Sequence, residues 1–179
     1  SATLPSGRNN LACAEDSSTH KIYCFGGGRG SQDLNNDIME YDPANDRMIV
    51  KIATLSTASY AFSCAENSLT HKIYCFGGFG PNYLTRIIEY TPAIDQLLVK
   101  NAVLPSPRAG LSCAEDFSTH KIYCFGGQGS GNALTNQILE YVTTPPLINP
   151  PKILNPPRAG ANLDISLSDP TRPGSSYLL

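Results

Sequence analysis

Six cysteines and three histidines are the residues of this 179-residue chain best equipped for redox or metal chemistry, and they recur at fixed spacing. The two cysteines of each pair are eleven positions apart, and one histidine lies between them. The pairs are Cys13 with Cys24, Cys64 with Cys75, and Cys113 with Cys124; the histidines are His20, His71 and His120. A zinc site of the Cys-x-x-Cys kind needs closer spacing. The pattern therefore favours either three disulfides or six reduced, buried cysteines.

The loop "SSTH" at 17–20 bears on this choice. If the flanking segments pair as a hairpin around it, Cys13 lies directly opposite Cys24 at a non-hydrogen-bonded position, where side chains come closest. This geometry is compatible with a cross-strand disulfide. We therefore predict three disulfides, one inside each repeat, each adding about 2 kcal/mol of stability. They indicate an extracellular or secreted protein, whereas reduced cysteines filling small buried sites would suit the cytoplasm.

The three histidines occupy equivalent turns, an arrangement that invites comparison with a ring of metal ligands. Equivalent turns of successive repeats lie too far apart to share one ion through bonds of about 2 Å. We therefore predict no metal site and no cofactor, and we expect each Thr-His-Lys segment to close its hairpin.

The segments that position these residues contain the same nine-residue sequence, which occurs three times in the chain. "THKIYCFGG" lies at 19–27, 70–78 and 119–127, with a period close to fifty residues. Four β-prone runs make up the first repeat: "NLACAED", "KIYCFGG", "DIMEYDP" and "RMIVKIATL". Turn-forming residues separate these runs, which show few helix caps and little helical periodicity. A period of this size with four strands is typical of the blades of a β-propeller, so the sequence predicts an all-β protein.

Particular residues narrow this prediction. An aromatic strand ends in Gly-Gly, a variable loop follows, and the next strand ends in a Glu-Tyr-Asp-Pro-like sequence. The residues are Ile22, Tyr23, Gly26, Gly27, Glu40, Tyr41, Asp42 and Pro43, then Ile73, Tyr74, Gly77, Gly78, Glu89 and Tyr90, then Ile122, Tyr123, Gly126, Gly127, Glu140 and Tyr141. This pattern resembles the kelch repeat. The resemblance implies kelch-type propeller blades, each a four-stranded antiparallel sheet. The chain departs from the kelch pattern in having no Trp; Met48 and Leu97 stand in the last strand instead.

The repeats divide the chain into three blades and a partial fourth. The predicted boundaries are 1–52 for the first blade, 53–101 for the second, 102–152 for the third with its proline-rich end, and 153–179 for the partial fourth repeat and tail. Propellers typically have four to eight blades. We therefore expect a homo-oligomer that completes the ring, a fragment of a longer propeller, or a small ring closed by the fourth strand.

The loops differ between repeats while the strands agree, and variable loops on a rigid scaffold are where binding residues concentrate. In a propeller the loops after Gly-Gly and the loops before the first strand emerge on one face. The predicted binding residues on that face are Arg8, Arg29, Phe79, Tyr83, Arg86, Arg108 and Arg158. Arg and Tyr are enriched at interfaces. For Arg108 and Arg158, which belong to two "PRAG" segments, the alternative role is to brace neighbouring loops.

These observations favour a non-enzymatic binding module with a protein or glycan partner. One alternative is a structural subunit of an extracellular assembly or filament. Another is a kelch-type carbohydrate-active enzyme, an oxidase or isomerase, but the histidines lie on the turns opposite the variable loops and the glutamates are identical in every repeat. A net charge of −2 argues against a nucleic-acid partner. No apolar run reaches the roughly 18 residues of a membrane span.

Overall fold

The computed structural model describes residues 1–29 and 33–143, together with the backbone of residues 152–154. This part of the chain is built from β-strands and two short 3-10 turns at Pro92–Ile94 and Ser130–Asn132. The strands are β1 (Ala12–Asp16), β2 (Lys21–Phe25), β3 (Asp37–Asp42), β4 (Arg47–Thr54), β5 (Ser63–Asn67), β6 (Lys72–Phe76), β7 (Arg86–Thr91), β8 (Gln96–Val103), β9 (Ser112–Asp116), β10 (Lys121–Phe125), β11 (Ile138–Tyr141) and β12 (Lys152–Leu154). Neither helical turn is long and apolar enough to cross a bilayer.

The strands form three four-stranded antiparallel sheets, one for each repeat. Sheet 1 has the order β1-β2-β3-β4, sheet 2 the order β5-β6-β7-β8, and sheet 3 the order β9-β10-β11-β12. Consecutive strands pair in each sheet, so every sheet is a simple meander. The all-β prediction and the four-stranded plan of each repeat are therefore confirmed. The described residues show three sheets side by side and no closed ring.

The first hairpin of each repeat is held by its turn. Asp16 accepts hydrogen bonds from the backbone N–H of Ser18 at 3.0 Å and from the hydroxyl of Thr19 at 2.8 Å. His20 takes a left-handed conformation with φ of 56°, and its N–H donates to the Asp16 carbonyl at 2.8 Å. Short polar side chains that bond their own backbone favour such turns. The turn confirms the prediction that the Thr-His-Lys segment closes the hairpin.

The hairpin register brings the cysteines together as predicted. Cys13 pairs with Cys24 across β1 and β2, and the equivalent pairs occupy β5 with β6 and β9 with β10. All three pairs form disulfides, with 4.1 Å between the two Cα atoms in each. The short Cα separation is that of a non-hydrogen-bonded antiparallel pair. The predicted pairing of all six cysteines is confirmed.

Successive sheets pack through opposite faces. We call the face that carries the Tyr-x-Phe of the second strand the leading face, and the other the trailing face. On the leading face of sheet 1, Tyr23 and Phe25 contact Tyr90 on the trailing face of sheet 2, with ring centroids 5.5 Å apart in both cases. The disulfide of sheet 2, between Cys64 and Cys75, lies in the same core.

The contact between sheets 2 and 3 repeats this arrangement. Tyr74 and Phe76 pack on Tyr141 at 5.4 and 5.3 Å, and Cys124 of the third disulfide belongs to that core. The first strands β1, β5 and β9 lie next to one another, while the fourth strands are farther apart. Neighbouring sheets are therefore closest at their first strands and diverge toward their fourth strands.

The Gly-Gly pair ties each sheet to the next. Gly26 and Gly27 have positive φ values of 55° and 82°. A Cβ on Gly26 would lie 2.5 Å from the Ser59 carbonyl oxygen of the following repeat. The Gly27 N–H donates to that oxygen at 3.0 Å, and Gly78 donates to Arg108 at 2.9 Å in the same way. Glycine is required here both for its backbone conformation and for the close approach of the next repeat.

Candidate binding surface at the loop end

The two sets of variable loops meet at one end of the sheets. In each repeat a residue before the first strand and a residue before the third strand both pair with the residue that follows Gly-Gly. The three residues are Asn9, Gly28 and Leu34 in repeat 1, Tyr60, Phe79 and Tyr83 in repeat 2, and Ala109, Gln128 and Leu134 in repeat 3. We call each set a loop triple. The hairpin turns with the histidines lie at the other end, as the sequence predicted.

Two of the predicted binding residues, Arg8 and Arg108, are buried beneath these loops. The Arg8 guanidinium donates to the Gly26 carbonyl at 3.3 Å and to Asp37 at 3.1 Å, and its side chain is 1 % exposed. Arg108, also 1 % exposed, donates to Gly126 at 3.3 Å and to Gln137 at 2.7 Å. The two arginines therefore fill the same slot in repeats 1 and 3.

In repeat 2 a guanidinium occupies the same site, but it comes from the third strand of the sheet and not from the loop before the first strand. Ser59 stands at the position of Arg8, and Arg86 stands at the position of Asp37. The Arg86 guanidinium donates to the Ser59 hydroxyl and, at 3.3 Å, to the Thr57 carbonyl. Burial lowers the pKa of Arg86 to about 10. The arginine and its shorter partner have exchanged positions, but the guanidinium occupies the same site.

This finding corrects part of the predicted surface. Arg8, Arg86 and Arg108 were expected to face a partner, but their guanidiniums are buried and donate to the carbonyls and side chains of their own loops. They brace the loops, which is the alternative role considered for Arg108. Arg158 lies outside the described residues. The pairs Arg–Asp, Ser–Arg and Arg–Gln form a compensated exchange, which can be recognised only when the loops are aligned by structure.

Repeat 2 carries an aromatic cluster in its loop triple. The Phe79 ring lies 5.6 Å from the Tyr60 ring and 4.9 Å from the Tyr83 ring, both edge-on. All three side chains are half-buried. Repeats 1 and 3 have no aromatic residue in the equivalent positions. The sequence pattern predicts Phe79 and Tyr83 as binding residues but does not point to Tyr60, because its pairing with Phe79 joins two loops that are distant in sequence.

Among the predicted arginines that the structure describes, Arg29 is the one that remains accessible at the loop end. Its side chain is 64 % exposed, and it donates to the Gly7 carbonyl at 3.1 Å. A salt bridge to Asp33, at 3.8 Å, is equally exposed. Such a pair contributes little to stability, so the guanidinium can exchange its partner for a ligand at small cost. The accessible candidates at the loop end are therefore Arg29 and the aromatic cluster.

The histidine end contains a second repeated contact, between one hairpin turn and the next repeat. Glu66 accepts hydrogen bonds from the Ser17 N–H at 2.9 Å and from the Ser17 hydroxyl at 3.0 Å. His71 lies 3.2 Å from the same glutamate. Ser68, Glu115 and His120 reproduce this contact between repeats 2 and 3. The glutamates at 66 and 115 therefore join repeats.

Asp16 lies beside the first of these contacts. The ligand atoms of Asp16, Glu66 and His71 are all within 4.8 Å of one another, a separation that a metal ion could bridge. The Glu66 oxygen is already used by Ser17 and His71, which gives the cluster a structural role without an ion. The prediction that these histidines hold no metal stays a prediction.

The second set of glutamates is also structural. Glu40 accepts from Lys21 at 2.6 Å, from Lys51 at 2.8 Å and from the hydroxyl of Tyr23 at 3.1 Å. Glu89 has the same three kinds of partner in repeat 2, and Glu140 binds the lysine and tyrosine of repeat 3. Glu40 and its three partners line a cleft of about 490 Å3 between sheets 1 and 2. Each of Glu40 and Glu89 is thus fully engaged by two lysines and a tyrosine of its own sheet.

Acid is expected to weaken these networks. Burial raises the pKa of Glu40 and of Glu89, but hydrogen bonds from their two lysines outweigh it and hold both pKa values below the usual 4.5. A lowered pKa in the folded state adds stability above the unfolded-state value, and that stability is lost as the pH falls through the folded-state value. We therefore expect the free energy of unfolding to decline below about pH 4.5.

The Glu89→Gln variant tests this expectation. It should be less stable than the natural protein by about 2 kcal/mol at pH 7, and the difference should shrink markedly by pH 3. Urea unfolding followed by circular dichroism at both pH values measures the two differences. A deficit of the same size at both pH values would contradict the ionic role of Glu89. Glu15→Gln is the matched control, since Glu15 is a half-exposed carboxylate whose partner is the exposed His20.

No protein-family model matches the chain, and no curated protein matches it.

Proposed function

We propose that the protein is a non-enzymatic binding module in which kelch-type β-propeller blades present the loop end to an extracellular protein or glycan. The support for the blades is the three splayed four-stranded meanders and their Gly-Gly contacts. The support for an extracellular location is the set of three disulfides, which persist in oxidising compartments. The support for binding is the difference between the loops.

One observation carries the proposal. The strands, turns and buried ionic networks are nearly the same in every repeat, but the aromatic cluster Tyr60, Phe79 and Tyr83 occurs in repeat 2 alone. Packing within a repeat does not require these rings, because repeats 1 and 3 fold with smaller residues in the same places. A departure from internal symmetry at accessible aromatic residues is best explained by contact with a ligand.

The chemistry of the cluster suits a partly apolar ligand. Tyrosine and phenylalanine rings offer apolar area, and the tyrosine hydroxyls offer hydrogen bonds at its edge. A sugar ring has an apolar face bordered by hydroxyls, and a peptide side chain can fill the same surface. Arg29 adds a cationic donor at the same end of the sheets. Aromatic residues and arginine are the types that contribute most binding energy at interfaces.

The non-enzymatic part of the proposal rests on the glutamates. A general acid–base pair needs a carboxylate that is free to exchange protons with a substrate. Glu40 and Glu89 are each engaged by two lysines and a tyrosine, and Glu66 and Glu115 join neighbouring repeats. Their repetition and their partners assign them to the architecture.

The aromatic cluster can be exchanged for a triple that this fold already accommodates. In the variant Tyr60→Ala, Phe79→Gln, Tyr83→Leu, repeat 2 acquires the loop triple of repeat 3. We expect this variant to fold and to lose at least tenfold in affinity, since each buried aromatic contact contributes on the order of 1 kcal/mol or more. The first measurement is binding of the natural protein to a glycan array and to a displayed peptide library. Isothermal titration of the best ligand with both proteins follows.

The matched control changes repeat 3 instead. Gln128→Ala with Leu134→Ala alters an equivalent pair of loop positions without touching the aromatic residues, so affinity should be unchanged. Equal binding by the natural protein and the aromatic variant would contradict the proposal. Binding of neither glycans nor peptides would contradict it as well.

A further inference from the structure

The two outer faces of the three sheets are more exposed than the inner faces that they resemble. On the leading face of sheet 3, Phe125 is 47 % exposed, whereas Phe25 and Phe76 are 0 % and 1 % exposed in the equivalent positions. On the trailing face of sheet 1, Tyr41 is half-buried, whereas the equivalent Tyr90 is 0 % exposed. Each outer face therefore carries the residues of a face that is packed inside the chain.

We call the contact between two neighbouring sheets a seam. Both seams contain the same five hydrogen bonds, 2.7 to 3.3 Å long. In the seam between sheets 1 and 2 they run from the N–H of Gly27 to Ser59, of Ser59 to Asn35, of Leu55 to Asn36, of Ala61 to Asn10 and of Ser17 to the Glu66 carboxylate. In the seam between sheets 2 and 3 they run from Gly78 to Arg108, Arg108 to Leu84, Leu104 to Thr85, Gly110 to Ala61 and Ser68 to Glu115.

The outer faces carry the donors and acceptors of a third such set. The leading side of sheet 3 has the equivalent N–H groups of Gly127 and Phe117 and the carbonyls of Thr135, Asn136 and Gly110. The trailing side of sheet 1 has the equivalent N–H groups of Leu4, Arg8 and Asn10, the Arg8 carbonyl and the Glu15 carboxylate. Among the described residues, none of these main-chain groups has a hydrogen-bond partner. The two faces are therefore complementary.

We propose that the two faces pair between two copies of the chain, with the leading face of sheet 3 in one copy packed on the trailing face of sheet 1 in the other. Copies related by a two-fold axis form this seam twice. Two copies of three sheets make a ring of six, within the four to eight blades of a propeller, whereas three copies would make nine. The inference rests on the proposed blade architecture and not on ligand binding.

A second copy is favoured over an unrelated protein because it covers both outer faces at once. It brings the donors and acceptors that each face lacks, in the order in which the two internal seams already use them. An unrelated protein on one face would leave the other face open.

The aromatic residues of the two faces complete a third cluster of the kind found in both internal seams. There, the tyrosine and phenylalanine of one second strand pack on a tyrosine of the next sheet at 5.3 to 5.5 Å. In the dimer, Tyr123 and Phe125 pack in the same way on Tyr41 of the other copy. The Tyr41 hydroxyl donates to Asp46 at 3.2 Å, as the hydroxyl of Tyr90 does to the equivalent aspartate. The ring is therefore already held in the orientation that a seam requires.

The first four residues also lie as they do in a seam. The Ala2 N–H donates to Asp46 at 3.1 Å, as the Ala53 N–H donates to the equivalent aspartate of sheet 2 at 3.4 Å. Ala53 belongs to β4, so the start of the chain lies on sheet 1 in the way that the end of β4 lies on sheet 2. This places Leu4 at the position of Leu55, whose N–H donates to the preceding sheet.

The third hairpin turn differs from the first two in a way that the dimer explains. In the first seam the Ser17 hydroxyl lies 3.3 Å from the ring of His71. The residue at the position of this serine in the third turn is Phe117, which is 72 % exposed. In the dimer it meets the exposed ring of His20 in the other copy. A contact between two rings then replaces the contact between a hydroxyl and a ring.

Mixing two complementary variants tests the proposal on the full chain. Phe125→Arg blocks the leading face of sheet 3, and Tyr41→Glu blocks the trailing face of sheet 1. By light scattering, we expect the natural protein to be a dimer. Each variant alone should associate at least a hundredfold more weakly, because an unpaired charge is buried in both seams. An equimolar mixture should form dimers again, since one seam is natural and the other pairs arginine with glutamate.

Two turn variants keep the test independent of the folding of the sheets. Phe117→Glu changes an exposed side chain and sets its carboxylate near Glu15 of the other copy, so association should weaken at least tenfold. Leu69→Glu is the matched control. It makes the same change at a similarly exposed residue of the second turn, outside both outer faces, and association should be unchanged.

Each other result overturns the proposal. A natural protein that is a monomer at every concentration, or larger than a dimer, would show that the faces do not pair in this way. The same conclusion would follow from dimers that persist in Phe125→Arg or Tyr41→Glu, from a mixture that stays monomeric, or from equal effects of the two turn variants. Because mass is measured without a ligand, these results are distinct from a failure of binding at the loop end.

Discussion

Reduction of the three disulfides is expected to remove about 6–9 kcal/mol from the free energy of unfolding. Each bond joins cysteines 11 residues apart, and closing a loop of that size lowers the entropy of the unfolded chain by an amount worth about 2–3 kcal/mol. The three loops are separate, so their contributions should add. The sum is comparable with the total stability of a domain, about 5–15 kcal/mol. The reduced protein should therefore be largely unfolded or close to its unfolding transition at 37 °C.

Thermal unfolding followed by circular dichroism, with and without a phosphine reductant, measures the effect. Paired substitutions separate the chain entropy from packing. Cys64→Ala with Cys75→Ala removes sulfur atoms from the core between sheets 1 and 2, whereas Cys13→Ala with Cys24→Ala acts where Cys13 is exposed. The first variant should be the less stable of the two, because it also leaves a cavity. An unchanged midpoint of thermal unfolding after complete reduction would show that the disulfides do not stabilise the fold.

The exchanged arginine slot of repeat 2 is expected to show strong energetic coupling. Arg86→Asp alone places a carboxylate next to Ser59, removes the guanidinium that donates to two loop groups, and should cost about 3–5 kcal/mol. Ser59→Arg alone adds a second guanidinium beside Arg86 at a fully buried site and should also destabilise the protein. The double variant recreates the pair formed by Arg8 and Asp37 in repeat 1. Its stability should return to within about 1 kcal/mol of the natural protein.

A double-mutant cycle from urea unfolding of the four proteins measures this coupling. If the losses in free energy of unfolding were additive in the double variant, an arginine at position 59 could not replace the guanidinium of Arg86. Asp37→Arg with Arg8→Ser applies the reverse exchange to repeat 1 and serves as the matched cycle. It should give coupling of the same sign, since the two repeats share the backbone that forms the slot.

The strands, their order within each sheet and the disulfide pairing could be predicted because they depend on contacts between neighbours in sequence. A hairpin with a four-residue turn at 17–20 leaves a single register for Cys13 and Cys24. The internal repetition then gave three independent copies of the same local argument. The blade type, the closure of a ring and the binding role remain proposals.

The residues that hold one repeat against the next could not be predicted in the same way. Ser17 and Glu66 are 49 residues apart, and only the packing of one sheet on another reveals that a turn and a strand meet. The burial of Arg8 and Arg108 was likewise invisible, because an arginine in a glycine- and proline-rich loop has the same local sequence whether it points inward or outward. Tyr60 was missed because its role depends on pairing between two loops.

The spacing of the disulfides also determines the order in which the chain can mature. Six cysteines allow fifteen pairings, but the observed partners are 11 residues apart, while Cys24 and Cys64 are separated by 40. The difference in loop length favours the native pair by about 1 kcal/mol before any sheet has formed. Each bond can therefore close as soon as its own hairpin has been synthesised, without waiting for later repeats. The protein can be oxidised one repeat at a time from its N-terminal end, with little need for isomerisation of wrongly paired cysteines.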